Sequence, residues 1–223
     1  MAQAPPPALT PALHRLAAPL AAAGLDVVAP LPRPRLTVIV GNTRRLWPIF
    51  TAAYRADAAL QADPHPLDAY VTARVEAALA EAELDAEVSW GHGEDPPPLQ
   101  RLAVEAGLGW LSPAHLVVPP VYGPWLGLRA IVSFDLPGVA SAPPAPPCVG
   151  CSGCGPDPGS GGCVSALERA MAGCGGAPTA AGVKARWRDW AAIRLACPVG
   201  RAWAYGEAQL AYHYTHDRAW LGS

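Results

Sequence analysis

Apolar positions along the chain switch between two periods. In residues 9–24, which are rich in alanine, Leu13, Leu16 and Leu20 recur at three- and four-residue intervals. That spacing predicts a helix with one buried face, closed at Gly24. Pro30, Pro32 and Pro34 interrupt the pattern and read as an extended linker. The run LTVIVGN at residues 36–42 is apolar, β-branched and ended by Gly-Asn, the pattern of a buried strand. Residues 46–61 predict a helix presenting Trp47, Phe50, Tyr54 and Leu60, broken by Asp63-Pro64-His65-Pro66. Residues 67–84 predict another, with Leu67, Tyr70, Val71, Val75 and Leu79 inward. A strand at 86–90, a loop at 91–98 and a helix at 99–106 ended by Gly107 follow, then a strand at 126–134. Residues 139–147 read as a Pro/Ala linker into a cysteine loop at 148–162. Residues 164–171, 184–196 and 207–214 read as helices. Helices and strands mix without a regular βαβ repeat, so the fold class is α+β.

Composition narrows the function classes. With 51% hydrophobic residues and a formal net charge of −2, the chain carries no basic excess to recruit nucleic acid. No apolar run approaches the roughly 18 residues that a membrane-spanning helix needs. The start MAQAPPPALTPAL has neither the positive nor the apolar region of a secretory signal, which points to a cytoplasmic protein. Lys184 is the only lysine against fifteen arginines, the bias of a GC-rich coding sequence, so an arginine by itself means little here. There is no G-x-G-x-x-G and no phosphate-binding loop of the P-loop type.

Six cysteines without an export signal favour metal or redox chemistry over disulfides. Cys148, Cys151 and Cys154 stand at C-x-x-C intervals, and Cys197 is followed by Pro198. Three clustered thiolates with a distant Cys-Pro is a ligand pattern for one [4Fe–4S] cluster. A structural zinc or idle thiols on a Gly/Pro loop are the alternatives. Cys163 and Cys174 are left over, as a replacement ligand, a redox pair or bystanders. His213 and His216 stand three apart, with a surface or packing role favoured over a metal pair because no acid or cysteine lies beside them in sequence.

Several segments carry a family resemblance. DPHPLDAYVTARVEAAL at residues 63–79, VPPVYGPWLGLRAIVSFDLPG at 118–138, WRDW at 187–190 and YGEAQLAY at 205–212 lie in register over about residues 36–218. Together they resemble the CblC-type cobalamin-processing (MMACHC) family. AVEAGLGWLSPAHLVVPPVYGPWLGL at residues 103–128 is also similar to a segment of epoxyqueuosine reductases, which are cobalamin-dependent as well. Pro119 stands where the CblC-type motif opens with His, so that imidazole is missing here. Six cysteines also fall short of the two-cluster set of the tRNA-modifying enzymes, which ranks the CblC-type reading first.

The resemblance implies a nitroreductase-like core over residues 36–147, preceded by a helix and Pro-rich linker at 1–35. A ferredoxin-like cysteine loop and carboxy-terminal cap at 148–223 would follow. It implies cobalamin as substrate, with Leu99, Gln100, Gly109, Trp110, Leu111, Val117 and Leu128 near the corrin ring. It further implies that Trp190 fills the space left by the lower axial base, and that Arg129, Arg194 and Arg218 form a basic pocket for glutathione or a flavin phosphate. Plain packing of the tryptophans and solvated surface charge for the arginines are the competing readings. The implied activity is reductive decyanation or dealkylation of cobalamin, with electrons from a reductase, flavin or thiol passing through a cluster on Cys148, Cys151, Cys154 and Cys197. The rival readings are an epoxyqueuosine-reductase-like enzyme and a non-catalytic iron–sulfur cobalamin carrier. No nucleic acid or membrane partner is expected, and the chain would be a monomer or homodimer.

Overall fold

The computed structural model describes residues 11–139 and 162–222, so Cys148, Cys151 and Cys154 lie outside the described residues. A four-stranded antiparallel sheet forms the centre, in the order β1 (Val27–Leu31), β2 (Arg35–Asn42), β6 (Gly127–Pro137) and β3 (Ala86–Trp90). The architecture is α+β, as the mixed periodicities require.

One face of the sheet is covered by α1 (Pro11–Ala22), α2 (Leu46–Ala56) and α4 (Pro66–Glu81). Leu13, Leu16 and Leu20 of α1 are fully buried there against Leu36, Val38 and Val40 of β2 and against Val132 and Phe134 of β6. Phe50 sits among Trp47, Tyr54, Tyr70 and Tyr212, with ring centroids 5.5 to 6.2 Å from its own. Tyr212 belongs to α9 (Glu207–Thr215), so the carboxy-terminal helix closes this core.

The opposite face is covered less. It carries α5 (Leu99–Glu105) and the two-stranded β4 (Trp110–Leu111) and β5 (Val117–Val118), packed on Val27, Ala29, Leu31, Ile39 and Ile131. Beside them, α6 (Cys163–Gly173) packs on α8 (Trp187–Leu195) through Ala166, Ala170 and Ile193.

Three segments differ from their sequence reading. The Pro30–Pro34 stretch is not a linker: Pro30 pairs with Val38 inside β1. As an edge strand, β1 tolerates a residue without an N–H to donate. The helix expected over residues 46–61 is two, because Asp57 accepts from the N–H groups of Ala59 (2.8 Å) and Leu60 (3.3 Å) and so starts α3 (Ala58–Ala62). The helix expected over 184–196 also divides, at Arg186, into α7 (Ala180–Ala185) and α8. Thr179 caps α7 by accepting from Gly182 N–H at 3.1 Å.

Candidate functional site

The chemistry gathers where β2 ends, β6 begins and the carboxy-terminal helices arrive. Val40 pairs with Ala130 but Gly41 pairs with Leu128, so Arg129 is the extra residue of a β-bulge. A bulge re-aims a side chain off the strand's alternation. Leu128 joins the core beside Ile131, while Arg129 turns to Asn42, donating from Nε to Asn42 Oδ1 at 2.7 Å. Asn42 is fully buried and donates from Nδ2 to Thr43 O at 2.8 Å, which fixes the orientation of its amide. Thr43 in turn donates to both carboxylate oxygens of Asp26, through its N–H at 2.7 Å and its hydroxyl at 2.6 Å. Gly127 makes room for this arrangement, since a Cβ there would stand 2.5 Å from Asn42 Oδ1 and 3.2 Å from an Arg129 nitrogen.

Arg194 of α8 is buried and spends all three of its nitrogens. Nε donates to Tyr214 OH at 3.1 Å, Nη1 to the Pro124 carbonyl, and Nη2 meets His213 Nε2 at 3.2 Å. The Tyr214 hydroxyl in turn donates to the Trp190 carbonyl at 3.2 Å, tying α9 to α8. Burial, reinforced by the charges of Arg194 and Arg129, pushes His213 well below the usual imidazole range, so it is neutral at pH 7. Facing a guanidinium, Nε2 accepts, which leaves the ring proton on Nδ1.

Tyr205, just before α9, stacks edgewise on Trp125 at 5.8 Å. Its buried hydroxyl has no hydrogen-bond partner among the described residues, nor have the indole nitrogens of Trp125 and Trp190. Burial raises the Tyr205 pKa while Arg194 and Arg129 pull it down, which places the hydroxyl in the field of both cations. Burial likewise lowers Arg129, opposed by the fields of Tyr205, Asp68 and Tyr212. A cavity of about 440 Å³ lies elsewhere, on the open sheet face, whereas one of about 420 Å³ between α7 and α9 is lined by His213, Tyr214, His216 and Lys184.

The structure brings together Arg129 and Arg194 of the expected basic pocket. Arg218 stands apart at the surface, donating to the carbonyls of Gln61 (3.0 Å) and Asp63. Trp190 packs with the α6–α8 cluster. Of the expected ring contacts, Gln100 Oε1 accepts from Val117 N–H at 2.7 Å, which locks α5 to β5, and Val117 is buried. Gly109 touches β5 so closely that a Cβ would lie 2.5 Å from Pro119 N. Trp110 is 42% exposed, Leu111 is half-buried, and Leu99 and Leu128 are half-buried at the rim of the second core. Cys197 and Cys163 are buried and line one small cavity with Ser112 and Pro124. Among the described residues no group of three or more His, Cys, Asp or Glu could hold a metal, and no helix is long and apolar enough to cross a membrane.

Asn42, Thr43, Asp26 and Tyr205 were not singled out from sequence. Only Gly127 at the head of a strand hinted at the bulge.

No family model matches the chain, and neither does any curated protein. Among solved structures, the C. elegans B12-trafficking protein CblC, a human MMACHC homologue, has a similar fold. The TM-score is 0.59 at 14% identity, over 92% of this chain and 86% of that one, so the chain has a CblC-like fold.

Proposed function

We propose that this protein binds cobalamin and processes its upper axial ligand, by reductive decyanation or by thiol-dependent dealkylation. The observation that carries this reading is the CblC-like fold, matched over nearly the whole chain to a protein that traffics B12. The sequence motifs at residues 118–138, 187–190 and 205–212 support it independently, because they fall on β5–β6, α8 and α9, the elements that build the polar site.

The residues present suit a corrinoid. Trp110 offers an exposed aromatic surface on β4, and Leu111, Leu99 and Leu128 are half-exposed apolar residues of the same sheet face and hairpin. The indole nitrogen of Trp190 and the hydroxyl of Tyr205, unpartnered among the described residues, are donors that a polar ligand could satisfy. In this reading Trp110, Leu111, Leu99, Leu128, Gly109 and Gln100 border the corrin ring, Val117 supports them, and Trp190 faces its lower side. Arg129 and Arg194 set a positive field beside it. The corrinoid supplies the redox-active cobalt; the chain binds and orients it and excludes water.

A [4Fe–4S] cluster on Cys148, Cys151, Cys154 and Cys197 is the proposed electron relay, within a nitroreductase-like core that carries a ferredoxin-like insertion. Cys197 is supported as a ligand by its cysteine spacing, and Cys163 competes for the same role because both line one cavity. An external reductase, flavin or thiol such as glutathione would supply the electrons.

Anaerobic titration of the protein with cyanocobalamin and methylcobalamin, followed by visible spectroscopy with and without glutathione, tests the reading. Binding with a shift to the base-off spectrum, then loss of the cyano or methyl group, is the expected result. Binding without turnover would leave a carrier, and absence of binding would refute the proposal. Iron and sulfide content of Cys197→Ala and Cys163→Ala identifies the fourth cluster ligand, and zinc in place of iron would remove the cluster.

A further inference from the structure

We propose that strand β3, an open edge of the central sheet, is where two copies of this chain join, strand against strand, into one continuous sheet. The ladder itself shows which backbone groups are left over. Gly91 N–H donates to the Arg129 carbonyl at 2.7 Å, just past the pairing of Trp90 with Ala130. Hydrogen-bonded and non-bonded pairs alternate along an antiparallel ladder, so Ser89 and Glu87 also point their N–H and C=O groups at β6. The backbone groups of Ala86, Val88 and Trp90 then turn outward. Among the described residues no hydrogen bond reaches them, and no strand lies beyond β3.

An open row of donors and acceptors is a template for a further strand. The opposite edge is closed to this use. Following the same alternation across β6 and β2, Pro30 of β1 turns its ring nitrogen outward, and Pro32 comes just after the strand. Proline has no N–H, so β1 lacks a donor near the middle of its five residues. The five residues of β3 include no proline, no lysine and no bulge. Joining β3 to β1 would build open chains of molecules, whereas β3 against a second β3 closes after two copies.

The sequence of β3 fits its own copy. Antiparallel pairing centred on Val88 sets Ala86 opposite Trp90 of the second copy, a small residue facing a large one. All the residues with outward groups then meet in hydrogen-bonded pairs, about six bonds in total. Glu87 faces Ser89 rather than another carboxylate, and its charge is met within the chain by Arg35 at 3.5 Å. Ser89 lines the open groove, so pairing brings Glu87 of the second copy to the groove's rim. A single strand pair buries little area, and the dimer is expected to dissociate at roughly micromolar concentrations.

Sedimentation of the full chain from about 1 to about 300 µM, with amide hydrogen exchange at both ends of that range, tests the proposal. A dimer is expected at the upper end. Exchange at Ala86, Val88 and Trp90 should slow about tenfold or more there, while Glu87 and Ser89 stay protected at both concentrations. Val88→Pro removes an outward N–H but no bond to β6, and should raise the dissociation constant about tenfold or more. Ser89→Glu leaves the backbone intact and sets like charges opposite each other twice, so it should weaken the dimer about tenfold. Ser89→Arg, facing Glu87 of the second copy, should tighten it. The two Ser89 variants decide the matter even where Val88→Pro fails to fold. A monomer at every concentration, a dimer that leaves the three amides unprotected, or a dimer indifferent to both charges at Ser89 would overturn the proposal.

Discussion

The two faces of the central sheet are built to different ends. One is sealed by three helices and an aromatic cluster, with Leu13, Leu16, Leu20, Phe50, Val71 and Phe134 wholly withdrawn from water. The other carries one short helix and a hairpin of two two-residue strands, and leaves an open groove of about 440 Å³ over Thr37, Ser89 and Ser133. Burial of apolar area drives folding, so the sealed face holds most of the stability. The open face is packed more thinly, and at its strand ends the β-bulge turns Arg129 toward Asn42. Packing is thus divided unequally between the two sides of one sheet, and substitutions should feel that division.

The largest effect is expected at Phe50. Truncation to alanine removes a fully buried ring from contact with Trp47, Tyr54, Tyr70 and Tyr212, and should cost about 3–5 kcal/mol by denaturant unfolding. Ile131 lies on the other face beside the groove, where neighbours can shift and water can enter. Ile131→Ala should cost less, about 2 kcal/mol. Equal losses would mean that the open face is as tightly packed as the sealed one.

Next comes Arg194, which belongs to the scaffold on the chemical side. Arg194→Gln strands the Pro124 carbonyl and loosens α9 from α8, with an expected loss of about 2–3 kcal/mol. Arg129→Gln, with one internal bond to lose, should cost clearly less in the same unfolding experiment. The reverse order would make Arg129, and not Arg194, the residue that ties the elements together.

Acid should expose the same side of the molecule. His213 has a folded pKa well below the ordinary imidazole value of 6.5, because of burial and the two arginines. The unfolded chain therefore binds the proton more readily. Stability held above pH 6.5 is lost as the pH falls from there toward the folded pKa. His216 is lowered too and adds a loss of the same sign. His213→Gln, which keeps an acceptor for Arg194, should flatten the pH dependence of the melting temperature between pH 7 and 5 without abolishing it. An unchanged profile would place the acid-sensitive groups elsewhere.

How much of this was legible in sequence depended on range. Periodicity located α1, α4, α5, α9 and strands β2, β3 and β6, since a buried face writes itself into neighbouring residues. It missed β1, because Pro30 reads as a break and only the pairing with Val38 makes it an edge strand. It fused α2 with α3, because Asp57 acts as a cap only once the chain has turned, and it began the 184–196 helix at the end of α7, missing the start that Thr179 caps. Arg129 and Arg194 were legible through family motifs, but not the difference between them. That difference lies in Asn42, Pro124, His213 and Tyr214, partners 19 to 87 residues away in the chain. The three clustered cysteines lie outside the described residues, whereas the meeting of Cys163 and Cys197 at one cavity came only from the fold.

The smallest effect is expected on the open face itself. Thr37 and Ser133 face each other across β2 and β6 with their hydroxyls 3.3 Å apart, and Thr37 also donates to the Arg35 carbonyl at 3.2 Å. On a sealed face, removing one hydroxyl would strand its partner and cost the desolvation of a buried polar group. Here the groove admits water, which can replace the lost contact at Ser133. Thr37→Val keeps the β-branched shape favoured in a strand and should change stability by no more than about 0.5 kcal/mol. The double variant Thr37→Val/Ser133→Ala should then show almost no coupling in a thermodynamic cycle. A coupling above about 1 kcal/mol would mean that water does not reach this pair. The groove would then be closed in solution, and the open face would have to be counted with the sealed one.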